Sequence, residues 1–339
     1  MGFEELVDTK TVGEIIGLYP IAHDFFVNYN LNDLPLDRTF SAAVTTMPGE
    51  SLEEFGLTPS GMREQLLTFL ETMMGAETSF GEVRALTIRG GKNKAGVSEE
   101  VELTIRAGQT VSIVGPTGSG KSRLLGDIEC IAQGDTPTGR QILINGQALD
   151  DEARFEMDGV LVAQLSQNMN FVMDLTVAEF LELHAKSRFC AKPDEVCAQC
   201  FTTANELAGE TFLEQTKVTQ LSGGQSRALM IADTAYMSAS PIVLIDEIEN
   251  AGVDRKRAIR LLARREKIVL ISTHDPILAL NADMRIVIKN GGIHKIIETS
   301  PEEKESLASI EVMDNTLQAV RNRLRMGERI VSCDMETLK

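Results

Sequence analysis

The sequence predicts an α/β protein: a buried parallel sheet with an antiparallel β flank and a helical subdomain, preceded by a small all-α N-terminal domain. Three observations predict it. From Phe80 onward, nine short β-rich runs alternate with helical patterns. One of these runs, Val111 to Val114, passes directly into a glycine-rich loop and then a helical pattern. Before Phe80 the apolar residues recur at helical spacing and no strand-type alternation is seen.

In chain order, Thr11 to Asn28 places Val12, Ile15, Ile16, Leu18, Ile21, Phe25 and Phe26 at helical spacing, interrupted at Pro20, which lacks a backbone donor. A polar stretch follows, then Thr58 to Met74. There Ser60 is the expected cap of a helix whose apolar face includes Met62, Leu66, Leu67 and Leu70. Gly75 to Ser79 reads as a linker. The expected strands are Val83 to Ile88, Val101 to Ile105, Val111 to Val114, Gln141 to Ile144 and Val160 to Ala163. Ile242 to Ile245, Lys267 to Ser272, Arg285 to Ile288 and Ile293 to Ile297 complete them. Residues 172–220 hold no strand pattern and read as a helical insertion, giving a helical subdomain over about 172–225. At the end, Ser300-Pro301-Glu302-Glu303 supplies a cap, a first-turn proline and a capping-box acid. Leu307, Ile310, Val312, Leu317, Val320 and Leu324 then recur at helical spacing. The expected division is a small acidic helical domain at 1–75, an α/β domain at 80–299 and a C-terminal helical extension at 300–339.

Composition bounds the function. A formal net charge of −17 over 339 residues disfavours non-specific binding to nucleic acid or an anionic membrane, and no nucleic-acid partner is expected. Residues 1–79 carry a net −10 of that charge. No apolar run reaches the roughly 20 residues of a membrane span. The start, MGFEELVDTK, lacks the basic and apolar regions of a signal peptide. Five cysteines, an odd number, argue against a disulfide framework, so a reducing cytoplasm is the expected location.

Gly115-Pro116-Thr117-Gly118-Ser119-Gly120-Lys121-Ser122 carries the chemistry. Its glycines let backbone N–H groups turn inward around phosphate oxygens, and the following helix aims its positive end at the same anion. Lys121 supplies a cation for the β- and γ-phosphates, and the Ser122 hydroxyl is a Mg²⁺ ligand. An acidic centre fits beside it. The apolar run Ile242 to Ile245 ends in Asp246-Glu247. There Asp246 is placed to hold hydrated Mg²⁺ and Glu247 to polarise water for attack on the γ-phosphate.

Leu221-Ser222-Gly223-Gly224-Gln225 resembles, letter for letter, the signature of the ATP-binding cassette family, and Ser222 lies 24 residues before Asp246. The resemblance covers about residues 80–299 and implies a P-loop NTPase cassette with a RecA-like core. It implies a homodimer, head to tail, that binds and hydrolyses ATP with Mg²⁺. In it Ser222, Gly223, Gly224 and Gln225 face the γ-phosphate held by the other cassette. His274 then resembles the switch histidine, and Ala251-Gly252-Val253-Asp254 the D-loop along the interface. The glutamine that couples the helical subdomain to Mg²⁺ and water is Gln167 by its spacing to Thr176-Val177, with Gln164 as the alternative. Departures are also visible. Where the family places an aromatic ring for adenine, this chain has Arg89-Gly90-Gly91-Lys92-Asn93-Lys94, so its Lys and Asn side chains become candidates for base or ribose contact. Arg123 follows Ser122 where a hydroxyl residue is common, and Ile248-Glu249-Asn250 follows Glu247 where transporter cassettes commonly have Pro-Thr.

Cys190, Cys197 and Cys200, with His184 upstream, form a candidate set for Zn²⁺ or an Fe–S cluster, beside the alternative of small buried residues in a helical subdomain. Residues 11–75 resemble the small helical domain at the N-terminus of iron–sulfur cluster repair proteins. Thr11 to Ile16, Pro20, Ala22, Phe25-Phe26 and Phe55-Gly56-Leu57 carry that resemblance. Its paired cysteines are absent here, with Leu31-Asn32-Asp33-Leu34 near their place, so an acidic docking module for a protein partner is expected instead. Two functions follow: a soluble cassette ATPase that remodels or activates a protein partner, the reading favoured at this point, and the nucleotide-binding subunit of a membrane transporter.

Overall fold

The structure, a computed structural model, describes residues 3–19, 21–31, 34–46, 58–75, 82–157, 160–166, 171–188, 190, 192–247, 253–263 and 266–330. In chain order its N-terminal helices are α1 (Phe3–Thr9), α2 (Val12–Leu18), α3 (Ile21–Asn28), α4 (Phe40–Thr45) and α5 (Pro59–Gly75). Next come β1 (Ala85–Arg89), β2 (Glu102–Arg106), β3 (Thr110–Val114), α6 (Lys121–Glu129), β4 (Gln141–Ile144), α7 (Asp151–Glu156) and β5 (Val162–Leu165). The helices α8 (Val177–Ser187), α9 (Pro193–Leu207) and α10 (Gly223–Tyr236) follow. The chain continues through β6 (Ile242–Asp246), α11 (Arg255–Ala263), β7 (Ile268–Ser272), α12 (Pro276–Asn281), β8 (Met284–Lys289), β9 (Gly292–Glu298) and α13 (Pro301–Arg325).

Two compact units result. One holds Met1–Glu82, Asn170–Glu206 and Glu210–Ala239; the other holds Val83–Met169, Leu207–Gly209 and Ser240–Lys339. In the first, α2 starts on a capping box: Glu14 N–H donates to Thr11 Oγ1 at 3.2 Å, and Thr11 N–H to Glu14 Oε2 at 3.0 Å. The break expected at Pro20 falls between α2 and α3. At α5 the structure corrects the expected cap. Gly61 N–H donates to Thr58 Oγ1 at 3.1 Å, so Thr58 rather than Ser60 caps the helix, because Pro59 is pre-set for the first helical position. The N-terminal helices share an aromatic core around Phe25, whose ring centroid lies 4.6 Å from Tyr29 and 5.3 Å from Phe69. The expected contribution of Phe55-Gly56-Leu57 lies outside the described residues. In the same unit, α8 opens on a second capping box, Thr176 with Glu179.

The second unit contains both sheets. The larger runs β5-β6-β7-β3-β8-β9, with its neighbours parallel from β5 to β8 and β9 antiparallel to β8. The smaller, β2-β1-β4, is antiparallel. All nine expected strands are present, with ends displaced by no more than two residues. The largest displacement is at β5, because Val160 N–H still closes the turn onto Met157 O (3.0 Å) before the strand begins. β7 is buried at every position and β3 at all but its last, as parallel strands covered on both faces must be.

Candidate functional site

β6, β7 and β3 are adjacent and parallel, so the segments leaving their carboxyl ends emerge at one edge of the sheet. Those segments begin with Glu247, Thr273-His274 and Gly115, respectively. This is why Lys121 and His274, 153 positions apart, meet there.

The phosphate loop is shaped by three glycines with positive φ: Gly115 at 156°, Gly118 at 74° and Gly120 at 110°. A Cβ at Gly115 would lie 2.4 Å from Ile288 O and 2.8 Å from Ser119 Oγ; one at Gly120 would lie 2.8 Å from Gly291 Cα. Positions 115 and 120 therefore accept glycine only. Ser119 Oγ is buried without a hydrogen-bond partner among the described residues. Ser122, in the first turn of α6, is exposed, and Pro116 and Thr117 are exposed on the outside of the loop. Lys121 is 6% exposed, and its Nζ donates to Gly115 O at 3.1 Å.

Lys121 Nζ also lies 3.1 Å from His274 Nε2, which in turn lies 3.4 Å from Glu247 Oε1. Glu247 takes the left-handed backbone conformation at φ 47°, uncommon for a side chain with a Cβ. Its N–H donates to Ser272 O at 3.0 Å, which fixes that conformation beside the end of β7. Asp246, partly buried, closes β6 opposite Ser272 in the parallel register. Thr273 N–H donates to Ile113 O at 3.1 Å, tying the histidine segment to β3. One cation, one imidazole and the Glu247 carboxylate thus gather beside a loop built for an anion, with Asp246 one residue earlier at the end of β6. The oxygen donors Ser122 and Asp246 are of the hard type that Mg²⁺ takes.

Other expected residues are placed differently. Gln164, in β5, directs its amide at the Glu129 carboxylate, 2.5 and 3.0 Å away. Glu129 ends α6, about 12 Å along the helix from Lys121 at 1.5 Å per residue. Gln167 lies outside the described residues, as do Glu249, Asn250, Ala251 and Gly252. Asp254 Oδ1 accepts Arg257 N–H at 3.1 Å and so caps α11, while its own N–H donates to Leu207 O at 3.0 Å. In the first unit, Ser222 caps α10. Gln225 N–H reaches Ser222 Oγ at 3.4 Å, and Gln225 Oε1 accepts Ser222 N–H at 2.9 Å. The Ser-x-x-Gln spacing of the signature is therefore also a capping box, with Gly223 and Gly224 in its first turn.

Asn93 and Lys94, candidates for base contact, already serve the loop. Asn93 Oδ1 accepts Ala95 and Val97 N–H at 2.9 and 3.1 Å, and Lys94 Nζ donates to Gly118 O at 2.7 Å. The sequence reading missed this Lys94 brace; a lysine in a polar loop gives no signal of its partner.

The metal expectation at the cysteines finds no support. No group of three or more His, Cys, Asp or Glu able to hold a metal ion occurs among the described residues. Cys200 is fully buried, and burial first, then the Asp233 charge, pushes its thiol up. His184 Nδ1 lies 3.0 Å from Asp233 Oδ1, so Asp233 already partners that ring nitrogen.

A family model described as ABC transporter matches residues 98–250. An ABC transporter ATP-binding protein of Methanocaldococcus jannaschii is 51% identical over 258 residues, 76% of this chain and 98% of that protein. A macrolide export ATP-binding/permease protein of Salmonella choleraesuis is 30% identical over 226 residues, but the match spans only 33% of its length. Among solved structures, a dimeric bacterial ABC transporter cassette is 26% identical with a TM-score of 0.50, covering 63% of this chain and 99% of that one. A protein of Clostridium perfringens that is part of an ABC transporter complex shares the fold, at 21% identity and TM-score 0.50, over 73% of this chain. No helix among the described residues is long and apolar enough to cross a membrane.

Proposed function

This chain belongs to the ATP-binding cassette family of ATPases, and on that premise we propose that it is the nucleotide-binding subunit of a membrane transporter, working as a head-to-tail pair of cassettes. The observation that supports the chemistry is the meeting of Lys121, His274 and Glu247, at 3.1 and 3.4 Å, beside a loop that needs glycine at 115 and 120. The transporter role rests on the relatives, each of which carries a transporter name. The soluble remodelling role, favoured on sequence alone, has no such support, nor has docking of a partner by the acidic N-terminal helices.

In this reading Gly115 to Ser122 hold the triphosphate, with Lys121 on the β- and γ-phosphates and the N-terminus of α6 adding its dipole. Ser122, Asp246 and Gln167 are the residues that would hold Mg²⁺, which when bound neutralises charge across the two phosphates. Glu247 takes a proton from the attacking water, and His274 contacts the γ-phosphate. Ser222 to Gln225 of the partner subunit close the site from the other side, and Asp254 lies along the interface.

Two measurements test it. Lys121→Ala should weaken Mg-ATP binding by about a hundredfold, given about 1.5–3 kcal/mol for each hydrogen bond to a charged group. Unchanged affinity would count against the phosphate-loop reading. Co-purification from the native cell decides the role: membrane subunits support the transporter, whereas a soluble enzyme as sole companion returns the remodeller.

A further inference from the structure

Arg140, immediately before β4, is 0% exposed and is the largest fully buried side chain of the described residues. Its guanidinium reaches three places at once. Nε and Nη2 donate to Glu99 at 3.1 and 2.6 Å, Nη1 donates to Asp127 on α6 at 2.8 Å, and Nη2 also donates to Gly291 O at 2.8 Å. Glu99 closes the set by accepting Ile293 N–H at 3.1 Å and Gly91 N–H at 3.3 Å. Two carboxylates around one buried guanidinium are a poor source of net stability, because the desolvation of all three offsets their attraction. What such a fork does well is hold several groups in one geometry.

Gly291 is the group that matters to the site. It lies in the β8–β9 turn with φ 82°, and its N–H donates to Ser119 O at 2.6 Å. Gly120 packs so closely on it that a Cβ there would lie 2.8 Å from Gly291 Cα. The Ser119–Gly120 peptide is trans and planar, so a carbonyl aimed at Gly291 turns the Gly120 N–H to the opposite side. That amide opens α6, where the helix presents its donors to an anion.

The geometry points to Arg140 as a positioning residue for the phosphate loop: it holds the Gly291 carbonyl, and Gly291 sets the direction of the Ser119–Gly120 peptide. Affinity for the triphosphate then depends on a side chain that touches no nucleotide. The inference deepens the proposed function and rests on Mg-ATP binding at Gly115 to Ser122.

The test compares the full-length wild type with Arg140→Lys, Arg140→Met and Gly291→Ala for Mg-ATP affinity, KM, kcat and melting temperature. Lysine keeps the charge but has no planar fork to reach Glu99, Asp127 and Gly291 together. A Cβ at Gly291, where φ is 82°, would be strained and would meet Lys94 Cγ at 2.7 Å, disturbing the turn without touching Arg140. Lys94→Ala, which removes only the Lys94 bond to Gly118 O, serves as its control. Arg140→Met strands two buried carboxylates and is the variant most exposed to misfolding, so the other two carry the decision. In both, KM and the dissociation constant should rise about tenfold or more, with kcat at saturation within about threefold of wild type. A merely structural role would lower the melting temperature and leave KM alone. An unchanged KM in Arg140→Lys overturns the inference, and a rise confined to Arg140→Lys overturns the route through Gly291. Failure of the wild type to bind Mg-ATP sinks the phosphate-loop reading itself, and this inference with it.

Discussion

Lys121 Nζ and His274 Nε2 lie 3.1 Å apart. His274 also lies 3.4 Å from Glu247, between the cation and the carboxylate. His274→Ala should therefore lower kcat by about tenfold to a hundredfold, as loss of one polar contact in a transition state does. Mg-ATP affinity, set mainly by the loop, should change less than about threefold. Steady-state ATPase kinetics with a direct binding assay check both, and a loss of affinity with intact kcat would reverse the assignment.

At φ 47°, the Glu247 N–H donates to Ser272 O, a backbone bond that an isosteric change of side chain leaves in place, so replacing the carboxylate by an amide should keep the local fold. Glu247→Gln should lower turnover by about 10²- to 10⁴-fold, the usual worth of a general base, while Mg-ATP binding is kept. The variant should also sediment as a dimer with ATP, because closure is no longer undone by hydrolysis. Turnover at the wild-type rate would assign the base elsewhere.

The thiols differ in reach. Both thiols are raised, Cys130 by partial burial and Asp127, Cys200 by burial and Asp233. Cys130 is exposed whereas Cys200 is fully buried, so access separates them. A raised pKa means less thiolate at pH 8, and thiolate is the nucleophile. Iodoacetamide at that pH should modify Cys130 at least about a hundredfold faster than Cys200 in the native protein, with the difference vanishing in denaturant. Peptide mass spectrometry reads this directly. Equal native rates would contradict the packing of α9, which places Thr203 Oγ1 3.1 Å from the Tyr236 hydroxyl of α10.

What was legible in the sequence is what local physics dictates. Ile242 to Ile245 and Ile268 to Ile271 read as strands because a parallel strand buried on both faces is a near-continuous apolar run. The phosphate loop was legible because backbone donors around an anion demand glycine at set positions. Long-range pairing was not. Arg140 finds Glu99 41 residues away and Gly291 151 residues away, and an arginine before a strand announces neither. The cap of α5 was misassigned because Thr58 and Ser60 both fit the local pattern, and only the position of Pro59 separates them.

Phe25 is 1% exposed, and its ring centroid lies 4.6 Å from Tyr29, 5.3 Å from Phe69 and 6.5 Å from Phe40. It thus joins α3 to α4 and α5 in a helical cluster whose longest member has 17 residues. Short helices gain most of their stability from such packing rather than from propensity. Phe25→Ala should cost about 3–5 kcal/mol, a large share of what a small domain has. Hydrogen exchange should then show loss of protection at buried Leu66 and Leu70 on α5. By contrast, Leu18, 56% exposed on α2, should tolerate alanine within about 0.5 kcal/mol. Retained protection in Phe25→Ala would mean that the remaining side chains, Met62 and Phe26 among them, close the cavity and that the ring is not the centre of this core.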